Sequence, residues 1–270
     1  MTEINLQAIE SILRKVGEEL PQRNEAAGRP DSRAGMHRRF DELNGWAERE
    51  IRSALTPLHP DICWSQAELD MSAQEGPESE SPYWVLDPID GAVNLIQGFP
   101  FWSISLCLVE RGQAVFGVIY DAVRGELFHA QAGGGAYLNG MRIAPSGKKD
   151  LDDSVLLTSP PGDSALERDN AARTTRSLDL LLPQIAAGRM LGSVALQLAY
   201  IACGRADGYI EFGSGIYDWL AGALLIREAG GIVTDAAGRP FDWGTESIAA
   251  AGTAELAERM AEAWRSAKPS

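Results

Sequence analysis

Cysteine and histidine are scarce in this chain. Three cysteines (Cys63, Cys107, Cys203) and three histidines (His37, His59, His129) are scattered over 270 residues. That spacing builds neither a disulfide framework nor a Cys/His zinc site, and it suits a reducing compartment. Basic residues are also in deficit: 24 Lys and Arg against 38 Asp and Glu leave a formal charge of −14. With no basic run to offset it, such a body repels nucleic-acid phosphates and anionic lipid heads, so neither nucleic acid nor membrane is expected as a partner. No apolar stretch approaches the ~18 residues of a membrane span. The opening MTEINLQAIE lacks the basic and apolar regions of a signal peptide, and a cytoplasmic location is expected.

What is present is ordinary for a globular chain, with 45% hydrophobic and 23% charged residues. At this length the core needs no staples. Leu6, Ile9, Ile12, Leu13, Val16 and Leu20 recur at helical spacing, as do Phe40, Leu43, Trp46, Ala47, Ile51, Ala54 and Leu55. The stretch PQRNEAAGRPDSRAG (21–35) between them has loop composition. From Tyr83 to Tyr137 the texture is that of antiparallel strands, with turns at Arg111-Gly112 and Arg124-Gly125. From residue 154 strands and helices alternate: VLLTS, a helix over 164–182, SVALQLAYIAC, GYIEF, DWLAGALLIREAG, GIVTD, SIAAA and a closing helix over 253–267. This pattern predicts a layered α/β (α+β) fold. An N-terminal half (1–145) and a C-terminal half (146–270) are expected to form one compact unit, the pattern breaking at PSGKKDLDD.

The most informative stretch is Trp84-Val85-Leu86-Asp87-Pro88-Ile89-Asp90-Gly91-Ala92-Val93-Asn94. An apolar strand delivers Asp87, Pro88 is expected to stop its ladder, and Asp90-Gly91 turns into a helix. Two carboxylates three residues apart repel each other unless a cation sits between them. Oxygen ligands without His or Cys suit Mg²⁺ better than zinc. The amides of Gly91, Ala92 and Val93 would face an anion at a helix start. The plain alternative is a turn with solvated aspartates. Downstream, Glu211-Phe-Gly-Ser-Gly-Ile-Tyr-Asp218 leads into a helix with small residues at 221–223. Alone, Asp218 reads as an N-cap; beside Asp87 and Asp90 it is a candidate third carboxylate.

Together these residues carry a resemblance. DPIDGAVN followed by FPFWSISLCLVERG resembles the D-P-[IL]-D-G-T-x-N signature of the inositol monophosphatase family. IYDWLAGALLIREAGG resembles that family's C-terminal W-D-x-A-A-G…EAGG signature. GSVALQLAYIACGRADGYIEFG is similar to the segment between them, and all motifs stand in family order. The resemblance implies a five-layer αβαβα sandwich and a phosphomonoesterase, dimeric, using two or three Mg²⁺ ions. It places Asp87, Asp90, the Ile89 carbonyl and Asp218 at metal-ligand positions and Glu211 against substrate hydroxyls. Gly192 and Ser193 fall on the pocket-lining segment, and Gly91 and Ala92 on the phosphate cradle. A chain of this charge could hold a phosphate through bridging cations.

Three positions depart from the family pattern. The signature Thr is Ala92, and the upstream acid that would bond its hydroxyl falls on Asn44, so both ends of one expected hydrogen bond are lost. The family's G-E-E falls near Gln66-Ala67-Glu68. An ungapped count from Pro60 puts Ala67 on the ligand Glu, whereas a one-residue insertion puts Glu68 there; Glu68 is taken as the metal ligand and water activator, with Asp87 and Asp90 as its catalytic companions. Three functions stay open: hydrolysis of inositol monophosphate or a similar polyol or sugar phosphate, a 3′-phosphoadenosine nucleotide phosphatase, and a catalytically impaired relative that binds a metal–phosphate ligand or a partner.

Overall fold

The computed structural model describes residues 4–65, 74, 76–162 and 164–266. Two amphipathic helices open the chain, α1 (Leu6–Ala26) and α2 (Arg33–Leu55). α1 runs on through Pro21, where loop composition predicts an end. Proline costs the helix one hydrogen bond, but Asn24 beyond the expected break is buried, and its side-chain amide donates to the carbonyls of Leu95 and Ile96 at 2.9 and 3.2 Å. Tertiary contacts override the breaker.

A seven-stranded sheet follows in chain order: β1 (Cys63–Trp64), β2 (Tyr83–Asp90), β3 (Ser103–Glu110), β4 (Gln113–Asp121), β5 (Glu126–Gln131), β6 (Gly135–Leu138) and β7 (Met141–Arg142). It is antiparallel except for the β1–β2 pair. The Arg111-Gly112 turn joins β3 and β4 with both φ angles positive, at 51° and 72°, the geometry whose twist matches a hairpin. A short helix, α3 (Ala92–Gln97), separates β2 from β3.

The rest of the chain builds β8 (Val155–Thr158), α4 (Arg168–Leu181), β9 (Ala187–Met190), α5 (Val194–Ala202), β10 (Gly208–Phe212), α6 (Ile216–Ala229), β11 (Ile232–Thr234), β12 (Ser247–Ala251) and α7 (Ala254–Arg265). The second sheet has the order β11-β12-β10-β8-β9, with β9, β8 and β10 parallel. β9, like the two-residue β1, is an element the sequence does not announce. Ala187-Gly188-Arg189-Met190 has no apolar alternation and sits half-exposed at the sheet edge, held by its pairing with β8.

Alternate residues of each strand feed different cores. Trp84, Leu86, Leu106, Leu108 and Val118 pack against Ile9, Leu13, Leu43 and Ile51 of α1 and α2. Val85, Cys107, Val109 and Ile119 face the other way onto α5 and α6, which also meet Leu157, Tyr209, Ile248 and Ala250 of the second sheet. Beyond that sheet, Leu156, Ile210 and Phe212 pack against Leu181 of α4 and Leu256 and Met260 of α7. The layers therefore run α1α2, sheet, α5α6, sheet, α4α7: the αβαβα sandwich that the motifs imply. No helix among the described residues is long and apolar enough to cross a membrane.

Candidate active site

β2 does not end at Pro88. It continues to Asp90 through a bulge: Asp87 stands opposite Ser105 and Asp90 opposite Ser103, so β2 spends one residue more than β3 over that span. A bulge bends a strand and re-aims its side chains, and here both carboxylates are turned toward one place. Gly91 then starts α3 in the left-handed region, at φ 85°. A Cβ there would stand 3.1 Å from the Ser193 Cβ and 3.2 Å from the Phe101 carbonyl, so glycine lets the start of α3 approach the start of α5. Gly192, at φ 105°, closes the approach from the other side, where a Cβ would lie 2.5 Å from the Asn94 amide. That amide donates to Phe101 and Leu191 carbonyls, both at 2.6 Å, pinning α3 to the segment before α5.

Asp87, Ile89, Asp90, Gly91, Ala92, Gly192, Glu211 and Asp218 line one cavity of about 600 Å³, together with Phe40, Gln74 and the Ser159–Gly162 turn after β8. Asp218 is not the helix cap that it resembles in isolation. Gly215 occupies that position without a side-chain bond, and Asp218 falls in the first turn of α6. Ser193 does not face the cavity, being fully buried. Its hydroxyl donates to Asp90 and accepts from the Leu196 amide at 3.3 Å, capping α5. Asn44 is buried on α2, the helix that packs on α3, and Ala92 stands at the first position of α3. Glu68 and Ala67 lie outside the described residues.

Asp90 is the most enclosed of the acids lining the cavity among the described residues, 4% exposed. Its Oδ1 accepts from the Val194 amide at 2.9 Å. Its Oδ2 accepts from the Ala195 amide at 2.8 Å, from Ser103 Oγ at 3.1 Å and from Ser193 Oγ. Burial pushes this carboxyl up and the four donors pull it down; burial wins. Glu211 shows the same contest. Burial raises it to about 7, with the charges of Asp90 and Glu167 adding, against hydrogen bonds from Trp219 and Tyr209. Tyr209 and Trp219, which hold Glu211, are among the site residues that the sequence does not single out: Tyr209 falls in a strand and Trp219 in an apolar helix. The one available signal was Y-x-E at 209–211, which puts phenol and carboxyl on the same face of a strand.

The donors that a metal would meet are all hard oxygens: the carboxylates of Asp87, Asp90 and Asp218 and the Ile89 carbonyl. That chemistry fits Mg²⁺, and Asp90 keeps a lone pair on Oδ1 for it. Among the described residues no three acidic, His or Cys groups already form a metal cluster. Among the described residues, the cavity lining holds four acids and no Lys, Arg or His. An anion entering it would meet unfavourable charge unless cations accompanied it.

The model of the inositol monophosphatase family matches residues 1–268. A protein named Nus factor SuhB from Xylella fastidiosa is 46% identical over 168 residues, 61% of this chain and 60% of that protein. An inositol-1-monophosphatase from Mesorhizobium japonicum is 40% identical over 166 residues, 62% of this chain and 61% of the other. The chain thus spans about three fifths of the length of these curated relatives. A solved inositol monophosphatase from Anabaena superposes with a TM-score of 0.79 at 28% identity, covering 98% of this chain and 96% of that one. Matched over nearly its whole length, the chain belongs to the inositol monophosphatase family.

Proposed function

We propose that this chain is a Mg²⁺-dependent phosphomonoesterase acting on inositol monophosphate or a similar polyol or sugar phosphate. The observation that carries the reading is a cavity with oxygen donors on one wall, a carboxylate suited to hydroxyls on another, and, among the described residues, no cationic side chain in its lining. Asp87, Asp90, Asp218 and the Ile89 carbonyl hold two or three metal ions, with Glu68 a further donor. When bound, those ions neutralise phosphate oxygens and acidify a water molecule. The first-turn amides of α3, which have no intrahelical partner, hold phosphate oxygens at Gly91 and Ala92. Glu211 accepts a hydrogen bond from a substrate hydroxyl and so orients the ester. Gly192 lines the substrate cavity where the segment before α5 packs on Asn94 of α3, and Ser193 acts through Asp90. Both halves, 1–145 and 146–270, supply essential carboxylates, so they act as one unit, and the working form is a cytoplasmic homodimer.

Ala92 and Asn44 favour a second reading, a catalytically impaired relative. Neither provides the hydroxyl–carboxylate pair of the family, and general-base help of that kind contributes ~10²–10⁴-fold. The nucleotide alternative needs an aromatic face for adenine. Trp219 and Phe212 are both 1% exposed and unavailable, which leaves Phe40 on the cavity wall.

The test is phosphate release from inositol 1-phosphate, glycerol 2-phosphate, sugar phosphates and 3′-phosphoadenosine phosphate, with and without Mg²⁺. Turnover that requires Mg²⁺ and falls at least a hundredfold in Asp87→Asn and Asp218→Asn is expected. Absence of turnover from a protein that still binds Mg²⁺ would establish the impaired reading instead. Asp90→Asn is a poorer probe, because either orientation of the new amide sets its NH₂ against the N–H of Val194 or Ala195.

A further inference from the structure

Glu211 stands at the penultimate position of β10 with its carboxyl at the cavity. Its two oxygens are not equivalent. Oε2 accepts from the Tyr209 hydroxyl at 2.8 Å and from the Trp219 indole N–H at 2.6 Å. Both donors are buried, at 0% and 1% exposure. Two donors on one carboxylate oxygen fill its lone pairs. No described residue donates to Oε1, and Oε1 is not among the sealed polar atoms that lack a partner. It is the oxygen open to the cavity.

The surroundings of the Tyr209 donor are themselves ordered. The Ser159 hydroxyl stands beside the phenol and acts on it electrostatically, favouring its charged form. Gln197 Nε2 donates to Ser159 Oγ at 2.8 Å, and the Leu191 amide donates to Gln197 Oε1 at 3.3 Å. These bonds fix Ser159, the neighbour of the Tyr209 phenol, to α5, the helix whose N-terminal amides hold Asp90. Trp219 enters independently from the first turns of α6, its ring set edge-on to Phe241 at 6.0 Å.

We propose that Trp219 and Tyr209 are specificity-determining positioning residues, which commit Glu211 Oε2 and leave Oε1 as the single acceptor for one substrate hydroxyl. The inference rests on the phosphomonoesterase reading and narrows its substrate class. With Oε2 committed, the carboxylate does not take a vicinal diol with one hydroxyl on each oxygen. The site selects phosphate esters that bring one hydroxyl to Oε1. It rejects esters without a hydroxyl, which would leave Oε1 desolvated and unpaired, and esters whose alcohol part carries a carboxylate, which would meet the charges of Glu211, Asp90 and Glu167.

The experiment compares glycerol 2-phosphate with methyl phosphate in the presence of Mg²⁺, using Trp219→Phe, Glu211→Gln and the double variant. Trp219→Phe keeps an aromatic ring and removes the N–H. It is expected to raise KM for glycerol 2-phosphate about tenfold, the worth of one hydrogen bond to a charged group, with kcat within about twofold, and to cut the preference over methyl phosphate accordingly. In the Glu211→Gln background it should add nothing. A fall in kcat on both esters alike, or a full additional loss in the double variant, would overturn the proposal. A second readout needs no turnover. A neutral carboxylic acid quenches indole emission more than a carboxylate does, so the emission difference between the parent protein and Trp219→Phe should titrate with Glu211 and stop titrating in Glu211→Gln. A difference that is flat between pH 5 and 9 would refute the coupling. If the unsubstituted protein hydrolyses neither ester, the phosphatase reading fails and takes the specificity role with it. Hydrolysis that ignores Trp219 fails the inference alone.

Discussion

Ser193 illustrates how far a side chain's role depends on what stands opposite it. A hydroxyl before an apolar helix is a cap by local rule, and the Leu196 amide confirms the cap. The same hydroxyl also donates to Asp90, 103 residues away in the chain. Removing it costs both interactions, so Ser193→Ala should lower stability by about 1–3 kcal/mol; a loss below ~0.5 kcal/mol in urea unfolding would contradict this double duty. Glu211 supplies the second test. Its carboxyl ionises near pH 4.5 when unfolded and near 7 when folded. A raised folded-state pKa means that the native state binds the proton more tightly. The resulting stability is fully present below about pH 4.5 and is lost as pH rises through about 7. The swing is on the order of 3 kcal/mol. Glu211→Gln should therefore flatten the decline in stability between pH 5 and 8. Melting curves at pH 5.5 and 7.5 that fall in parallel for both proteins would refute it.

At the scale of elements, the site is made by close approaches of α3, α5 and α6. β2 reaches it through the bulge at Asp87–Asp90, a feature that Asp-Pro hints at but that only pairing with β3 defines. α6 comes close to the first sheet where Gly117 faces the Ala221 backbone, and to α5 where Gly222 faces Leu198. An ideal Cβ on Gly222 would lie 2.5 Å from the Leu198 Cβ, which cannot swing away as the end of a long side chain could. Alanine would gain about 1 kcal/mol of helix propensity at this position. Overpacking should more than cancel that gain, giving a net loss of about 1–3 kcal/mol for Gly222→Ala. Because α6 carries Asp218 and α5 holds Asp90, activity should fall with stability. A Gly222→Ala protein more stable than its parent would show that the helices can part without cost.

At the scale of the whole molecule, a chain of charge −14 folds with four carboxylates, among the described residues, around one cavity. Cations that bound there in the native state alone would relieve their mutual repulsion, and such binding would add about 2.7 kcal/mol at a hundredfold excess over Kd. Mg²⁺ should therefore raise the melting temperature at constant ionic strength, and should do so far less in Asp218→Asn. An equal rise in both proteins would mark general screening rather than a site. The five layers have a related consequence: the acids proposed as metal ligands come from the first sheet and from α6, so the site exists only while the layers are stacked.

Much of this was legible from the chain alone. Helical spacing in the first 55 residues, the hairpin at Arg111-Gly112 and the alternation after residue 154 are properties of contiguous residues, and local propensity expresses them wherever they occur. Residue type and spacing mark out Asp87, Asp90 and Asp218 and the helix start at Gly91 and Ala92, whereas Ile89 and Glu211 are marked out only by the family resemblance; all of them line one cavity. Tertiary structure decided the rest. It carried α1 through Pro21, made an edge strand of Ala187–Met190, turned Ser193 onto Asp90 and set Trp219 against one oxygen of Glu211. Each of these depends on partners brought from elsewhere in the chain, and close packing, not local pattern, determines who those partners are.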